Sequence, residues 1–365
     1  MRKNDIHIIY GNDPCKMVYD ALVKTQIANE LNPQMHIGIK PNLVVAKPAS
    51  QGATTSPLAV EGVIKYLRDN GIKNITIMEG SWVGDSTKQA YQVCGYEELA
   101  RKYNIPLVDL KDDEFIVKRV ENLDLKICKK VFEVDFLINM PVLKAHCQTL
   151  MTCALKNMKG CIPDSEKRRF HSLGLHKPIA YLNKAITPGL IIVDGMCGDL
   201  TFEEGGNPVQ MDRVIIGKDP VLMDTYAASL LGYAKEDIEY IGIAESIGVG
   251  SSDLAKAKIY EHDVQLKNSR EFRPSNRARQ LVAGRVTAEE ACSACYGSLI
   301  HALQRMDENH KLKSIKKPIY IGQGFRGKEL KGLGIGQCTG KCDEHIGGCP
   351  PAAKEIVDFL ERGYA

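Results

Sequence analysis

The residues best suited to chemistry are five cysteines near the end of the chain: Cys292, Cys295, Cys338, Cys342 and Cys349. The first two form Cys292-Ser-Ala-Cys295, and the other three sit in residues 334–351, GIGQCTGKCDEHIGGCPP. A Cys-x2-Cys pair places two thiolates on one edge of a metal cluster. Glycines supply unusual dihedrals and let peptide N–H groups approach the sulfurs. Cys349-Pro350 matches the ligand-then-proline ending of many ferredoxin-type sites. A 4Fe–4S cube takes four thiolates. The preferred set is Cys292, Cys295, Cys338 and Cys349, because Cys349 carries the Pro-Pro exit and Cys338 the better glycine flank; Cys342 is the alternative. Zinc is the competing cofactor, since four thiolates suit it equally, although zinc ribbons usually pair one Cys-x2-Cys with another. The bland alternative is unliganded cysteines acting as small core hydrophobes.

A second constellation is polar: Lys144-Ala-His146, then Lys156-Asn157-Met-Lys159-Gly160. It follows a strand expected over 135–140. In a parallel sheet, ligands bind in the crevice beyond the strands' carboxyl ends. Lys144, Lys156 and Lys159, with Lys40-Pro-Asn42 at another strand end, would give such a crevice a positive potential suited to a carboxylate or phosphate. Lys144, His146, His171 and His176 are the catalytic candidates, the histidines as proton donors or acceptors near neutral pH. Lys40, Asn42, Lys156, Asn157, Lys159, Asp194 and Asp224 are the substrate-binding candidates. The competing view is a solvated lysine-rich face.

The elements that would position these groups alternate between strand and helix. Residues 6–10, 35–40 and 74–78 read as strands, and residues 15–31 and the stretch after Ser56-Pro57 read as helices, the latter with an N-cap and a proline at the first helical position. Further helices are expected over 91–103 and 149–158, and apolar strands over 190–193 and 214–217. Strand–helix–strand units of this kind imply an α/β fold with a mostly parallel sheet flanked by helices. A smaller C-terminal Cys-rich iron–sulfur module follows, with a helix opening at the capping-box pattern Thr287-Ala-Glu-Glu290. The expected domains are 1–255, an α/β domain with a basic ligand crevice; 256–285, a linker or extended connection; and 286–365, the cluster-binding module.

Bulk properties narrow the function. The net charge of +3 is interspersed, and only one tryptophan is present, which argues against a nucleic-acid partner. No apolar run approaches the ~20 residues needed to span a bilayer, and no signal-peptide h-region opens the chain. A cytoplasmic protein is expected, with its twelve cysteines mostly reduced.

Lys40-Pro-Asn42, Thr55-Ser-Pro57, the segment from Lys144 to Gly160, His171, Asp194-Gly195 and Asp219-Pro220 to Asp224 occur in the order found in the "domain of unknown function 362" family. The chain resembles that family over roughly residues 5–250. The resemblance implies an iron–sulfur protein, since many members look like one and some carry a ferredoxin-like module. The C-terminal cysteines depart from the two-cluster ferredoxin run C-x2-C-x2-C-x3-C, which implies one cluster rather than two.

The expectation is a redox enzyme that binds an anionic small molecule in the Lys/His/Asn crevice and carries a single 4Fe–4S cluster. The alternatives are a non-redox lyase or epimerase with a histidine base and a structural cluster, and an electron carrier or assembly partner of another anaerobic enzyme. The partners expected are an anionic substrate and a redox protein; a homo-oligomer is compatible with the sequence.

Overall fold

The computed structural model describes residues 1–362. The chain divides into two compact units: residues 1–167 with 176–274, and residues 168–175 with 275 onward.

In chain order the strands of the first unit are β1 (Asp5–Tyr10), β2 (Ile37–Pro41), β3 (Ile75–Glu79), β4 (Leu107–Asp109), β5 (Phe115–Val120), β6 (Leu123–Cys128), β7 (Phe136–Met140), β8 (Lys144–His146), β9 (Leu150–Thr152), β10 (Leu190–Asp199), β11 (Pro208–Gly217) and β12 (Lys258–His262). Eight of them form one sheet in the order β12-β1-β11-β10-β7-β2-β3-β4. Its pairings are parallel except where β11 lies antiparallel between β1 and β10. The sheet is therefore mostly parallel, as the strand–helix alternation predicts.

The helices are α1 (Pro14–Thr25), α2 (Pro57–Asp69), α3 (Thr87–Val93), α4 (Tyr96–Tyr103), α5 (Ala154–Asn157), α6 (Asp164–Ser172), α7 (His176–Ala185), α8 (Pro220–Leu230) and α9 (Glu239–Ser246). Three of them begin the same way. Asp13, Ser56 and Asp219 are N-caps whose side chains accept backbone N–H groups, and each is followed by proline at the first helical position. The fully buried runs of β2, β3 and β10 pack against α1 and α2 in a core that includes Val18, Leu22, Val60, Ile64, Ile39, Ile77 and Ile192.

Local pattern failed where tertiary contacts decided. The helix expected over 91–103 is two helices, broken at Gly95 with φ 79°. The helix expected over 149–158 is the β8–β9 hairpin followed by the single turn of α5. Of the expected linker, residues 258–262 pair in parallel with β1 as the edge strand β12. That strand is exposed on both faces and so carries no alternation to read.

The second unit contains α10 (Arg277–Val282), β13 (Val286–Ala288), α11 (Ser293–Glu308), β14 (Ile319–Ile321), β15 (Leu330–Ile335), β16 (Cys342–Ile346) and α12 (Ala353–Arg362). Its sheet runs β13-β14-β15-β16 and is parallel throughout. The expected capping box at Thr287–Glu290 is not a helix start. Val286 to Ala288 pair with Ile319 to Ile321, and α11 begins after Cys292. Strand pairing outweighed a local capping preference.

Candidate functional site

In the first unit, β2, β3 and β7 are neighbours and parallel, so their carboxyl ends lie at the same edge of the sheet. Lys40, Glu79 and Asn139 occupy those ends. Lys40 is fully buried, and its ammonium donates to Glu79 Oε2 at 2.9 Å, Pro41 O at 3.0 Å and Asn157 Oδ1 at 3.2 Å. Asn157 Oδ1 also accepts from Asn42 Nδ2, and Asn157 Nδ2 donates to Asn139 Oδ1. Glu79 accepts further from the N–H groups of Leu43 and Gly80. Gly160 lies against this pair. A Cβ there would come 1.8 Å from Glu79 Oε1 and 2.7 Å from Lys40 Nζ, so only glycine fits.

A second buried group surrounds Glu203. Lys144 donates to Ala53 O at 2.6 Å, Glu203 O at 2.8 Å and Asn42 Oδ1 at 3.4 Å. Burial pushes Lys144 down to about 7; Glu203 pulls the other way and Lys156 adds to the push. The imidazole of His146 lies 2.5 Å from Glu203 Oε2 through Nε2. Its Nδ1 accepts the N–H groups of Gln148 and Thr149, which closes the β8–β9 turn. Burial pushes this histidine down to about 4 against the pull of Glu203. It is neutral at pH 7, and two donors on Nδ1 leave its proton on Nε2, facing the carboxylate. Burial alone would raise the Glu203 carboxyl, but the adjacent Nε2–H of His146 and the Lys156 ammonium hold it well below the usual carboxylate range. Lys156 reaches Glu203 Oε2 and Thr152 Oγ1, each at 3.3 Å.

His146, Cys147 and Glu203 place one ligand-type atom each within 4.8 Å of one another and form a candidate metal site. Its surroundings oppose that use. A metal-bound histidine donates its other ring N–H to an acceptor, whereas Nδ1 here meets two donors, and Lys156 already sits on the carboxylate. In this geometry the group is a close histidine–glutamate contact beside a thiol.

The remaining candidates have structural duties or lie elsewhere. Asp194 accepts from Ser56 N and Met196 N, which ties β10 to the start of α2. Asp224 accepts from Ala154 N and Leu155 N and so holds the first turn of α5. Lys159 is half-buried in the turn Met158–Cys161. His176 opens α7 and stacks on Tyr240. His171 is buried and belongs to the second unit.

In the second unit, Cys292, Cys295, Cys338 and Cys349 line one cleft with Arg168, Gln323, Arg326, Gly336, Gln337 and Gly348. The topology explains the grouping. Cys292 follows β13, Cys338 follows β15 and Cys349 follows β16, all beyond the carboxyl ends of parallel strands, and Cys295 stands in the first turn of α11. Cys342 begins β16, buried opposite Leu330. It is separated from the carboxyl end by about 13 Å of extended chain, and it is not part of the lining.

The donor set and backbone suit an iron–sulfur cluster. Gly336 adopts φ 85°, ψ 165°, a conformation for glycine, and a Cβ there would stand 3.6 Å from Cys295 Sγ. Burial pushes the Cys295 thiol up to about 12; Cys292, Cys349 and Cys338 push the same way and Arg168 opposes them. A cation beside grouped thiolates offsets their negative charge. Arg326 Nε donates to Cys338 Sγ at 3.4 Å.

Sequence reasoning missed Glu79, Asn139, Cys147, Glu203, Arg168 and Arg326 as members of these sites. Glu79 had a readable signal: a carboxylate ending an otherwise apolar strand must find a partner when buried. The others depend on contacts distant in sequence.

Fold and site together describe an α/β protein with a buried polar centre at the carboxyl ends of a mostly parallel sheet, and a separate unit that gathers four cysteines. The chain belongs to the family described as "Domain of unknown function (DUF362)", whose model matches residues 37–229, more than half of the chain. That span contains the polar centre and, of the cleft lining, Arg168, and it ends before the four cysteines. The chain is 27% identical over 207 residues to Thylakoid-associated protein sll1697 of Synechocystis, a match covering 55% of this chain and 63% of that protein. The chain thus matches under two thirds of that relative's length. Among solved structures, the lactate racemase apoprotein from Thermoanaerobacterium thermosaccharolyticum is similar at a TM-score of 0.41 and 14% identity, over 61% of this chain and 56% of that one. A Thermotoga maritima protein is similar at 0.40 and 14% identity, over 60% of each chain. At such scores neither speaks to chemistry. Among the described residues, no helix is long and apolar enough to cross a membrane.

Proposed function

We propose that this protein is an iron–sulfur electron-transfer protein, with one 4Fe–4S cluster held by Cys292, Cys295, Cys338 and Cys349. The observation that carries this reading is the convergence of those four thiols on one cleft, with Cys342 at the opposite end of its strand. When bound, the cluster supplies one-electron chemistry. The chain's own part is to hold the thiolates, offset their charge with Arg168 and Arg326, and keep the site open at Cys349, which is exposed. A redox protein is the corresponding partner, and the reducing cytoplasm the corresponding setting.

Electron transfer fits better than catalysis on an anion in the lysine crevice. Lys40 and Lys144 are buried, and each has three acceptors within the protein. Neither has a proton left for a ligand. The enzyme reading draws on Glu203, whose Oε1 is buried without a hydrogen-bond partner and can accept from a ligand hydroxyl; a thermal shift with a small hydroxyl-bearing molecule that E203A abolishes would favour it.

The test of the cluster is anaerobic reconstitution with iron and sulfide, followed by metal and sulfide analysis and electron paramagnetic resonance of the reduced protein. The wild type and C342A are expected to retain four iron and four sulfide per chain, whereas C338A and C349A lose them. Stoichiometric zinc in place of iron, or loss of metal only in C342A, would overturn the assignment.

A further inference from the structure

We propose that Arg326, through its hydrogen bond to Cys338 Sγ, sets the reduction potential of the cluster site and makes the cluster easier to reduce. This inference rests on the cluster reading above.

A 4Fe–4S core bearing four thiolates is anionic in its oxidised form and gains a further negative charge on accepting one electron from an external donor. Potentials of such centres follow net charge, hydrogen bonds to the sulfurs and exposure to solvent. Among the side chains lining the cleft, two are cationic, Arg168 and Arg326, and none is a carboxylate. Arg326 donates directly to one of the four sulfurs, Nε to Sγ at 3.4 Å. A charge-assisted hydrogen bond of this kind favours the more negative state of its acceptor. The guanidinium of Arg326 faces solvent, so its field is partly screened. Arg168 is half-buried, and Gln323 holds its backbone carbonyl at 3.0 Å. Arg326 is therefore a positioning and tuning residue that acts through Cys338, and Arg168 supplies a steadier background charge.

The test is a mediated redox titration of anaerobically reconstituted full-length wild type, R326Q and R326K, followed by electron paramagnetic resonance, with iron and sulfide determined on each sample. R326Q removes the charge and is expected to weaken reduction about three- to tenfold in equilibrium constant; tenfold corresponds to about 59 mV for a one-electron couple. R326K keeps the charge but loses the planar donor, so it is expected to shift in the same direction by less. The shift in R326Q should shrink as salt is raised. Potentials of R326K and of any loaded R326Q equal to the wild type, with four iron and four sulfide present, would overturn the inference and leave the cluster reading standing. Absence of iron and sulfide from the wild type would overturn both.

Discussion

Glu79 is the residue whose removal tests the polar centre most sharply. It faces Lys40 across 2.9 Å with side-chain exposures of 3% and 0%. It also accepts the N–H groups of Leu43 at 3.0 Å and Gly80 at 2.7 Å. Glu79→Ala removes one side of a buried ion pair and leaves an ammonium without its counter-charge, which costs about 3–5 kcal/mol. The two backbone donors it strands move the expectation toward the upper end of that range. Lys40→Met in the same chain removes the uncompensated charge. The double variant K40M/E79A should therefore recover about 1–2 kcal/mol relative to E79A alone, a coupling of the size seen for residues in one network. The assay is equilibrium urea unfolding followed by circular dichroism, where the midpoint falls without a change of slope. An E79A protein within about 1 kcal/mol of the wild type would refute the reasoning, given the size of the buried-pair penalty. So would a double variant no more stable than E79A.

Two further outcomes follow from the same physics. Burial raises the Asp224 carboxyl from 3.8 to about 7, against the N–H groups of Leu155 and Ala154. The folded state then holds a proton that the unfolded chain releases, so this residue's contribution to stability falls as pH rises from about 4 to about 7 and is flat above. Unfolding free energies across that range should decline less steeply in D224N, and an unchanged slope would count against a raised carboxyl. Gly336→Ala places a side chain on a backbone at φ 85°, ψ 165° and 3.6 Å from Cys295 Sγ. Strain of about 1–3 kcal/mol in the loop that carries Cys338 should lower iron loading after reconstitution; full loading would show that the loop tolerates a Cβ there.

Much of the fold was open to reading because its rules are local. Apolar runs such as Leu190 to Val193 and cap-proline pairs such as Ser56-Pro57 each constrain a few neighbouring residues, and their alternation implies a parallel sheet. Where a tertiary contact competed, local reading failed. Thr287–Glu290 has a capping pattern yet forms part of β13 and its exit, because Ile319–Ile321 offers a strand to pair with. Residues 149–152 look helical yet form a hairpin, because His146 Nδ1 gathers two backbone donors.

For the site, residue type and spacing alone singled out the cysteines, the glycines around them and the Lys/His/Asn cluster. Thiols in a glycine-rich loop and lysines past a buried strand are unusual enough to read one residue at a time. Which thiols meet was decided by the direction of four parallel strands, which carries Cys292, Cys338 and Cys349 to one end and leaves Cys342 at the other. Which lysines remain available was decided by Glu79, Asn157, Ala53 and Glu203, all distant in sequence from the ammonium they satisfy. A side chain's chemistry is written in its own residue, but its charge, its partners and its access to a ligand belong to the residues folded against it.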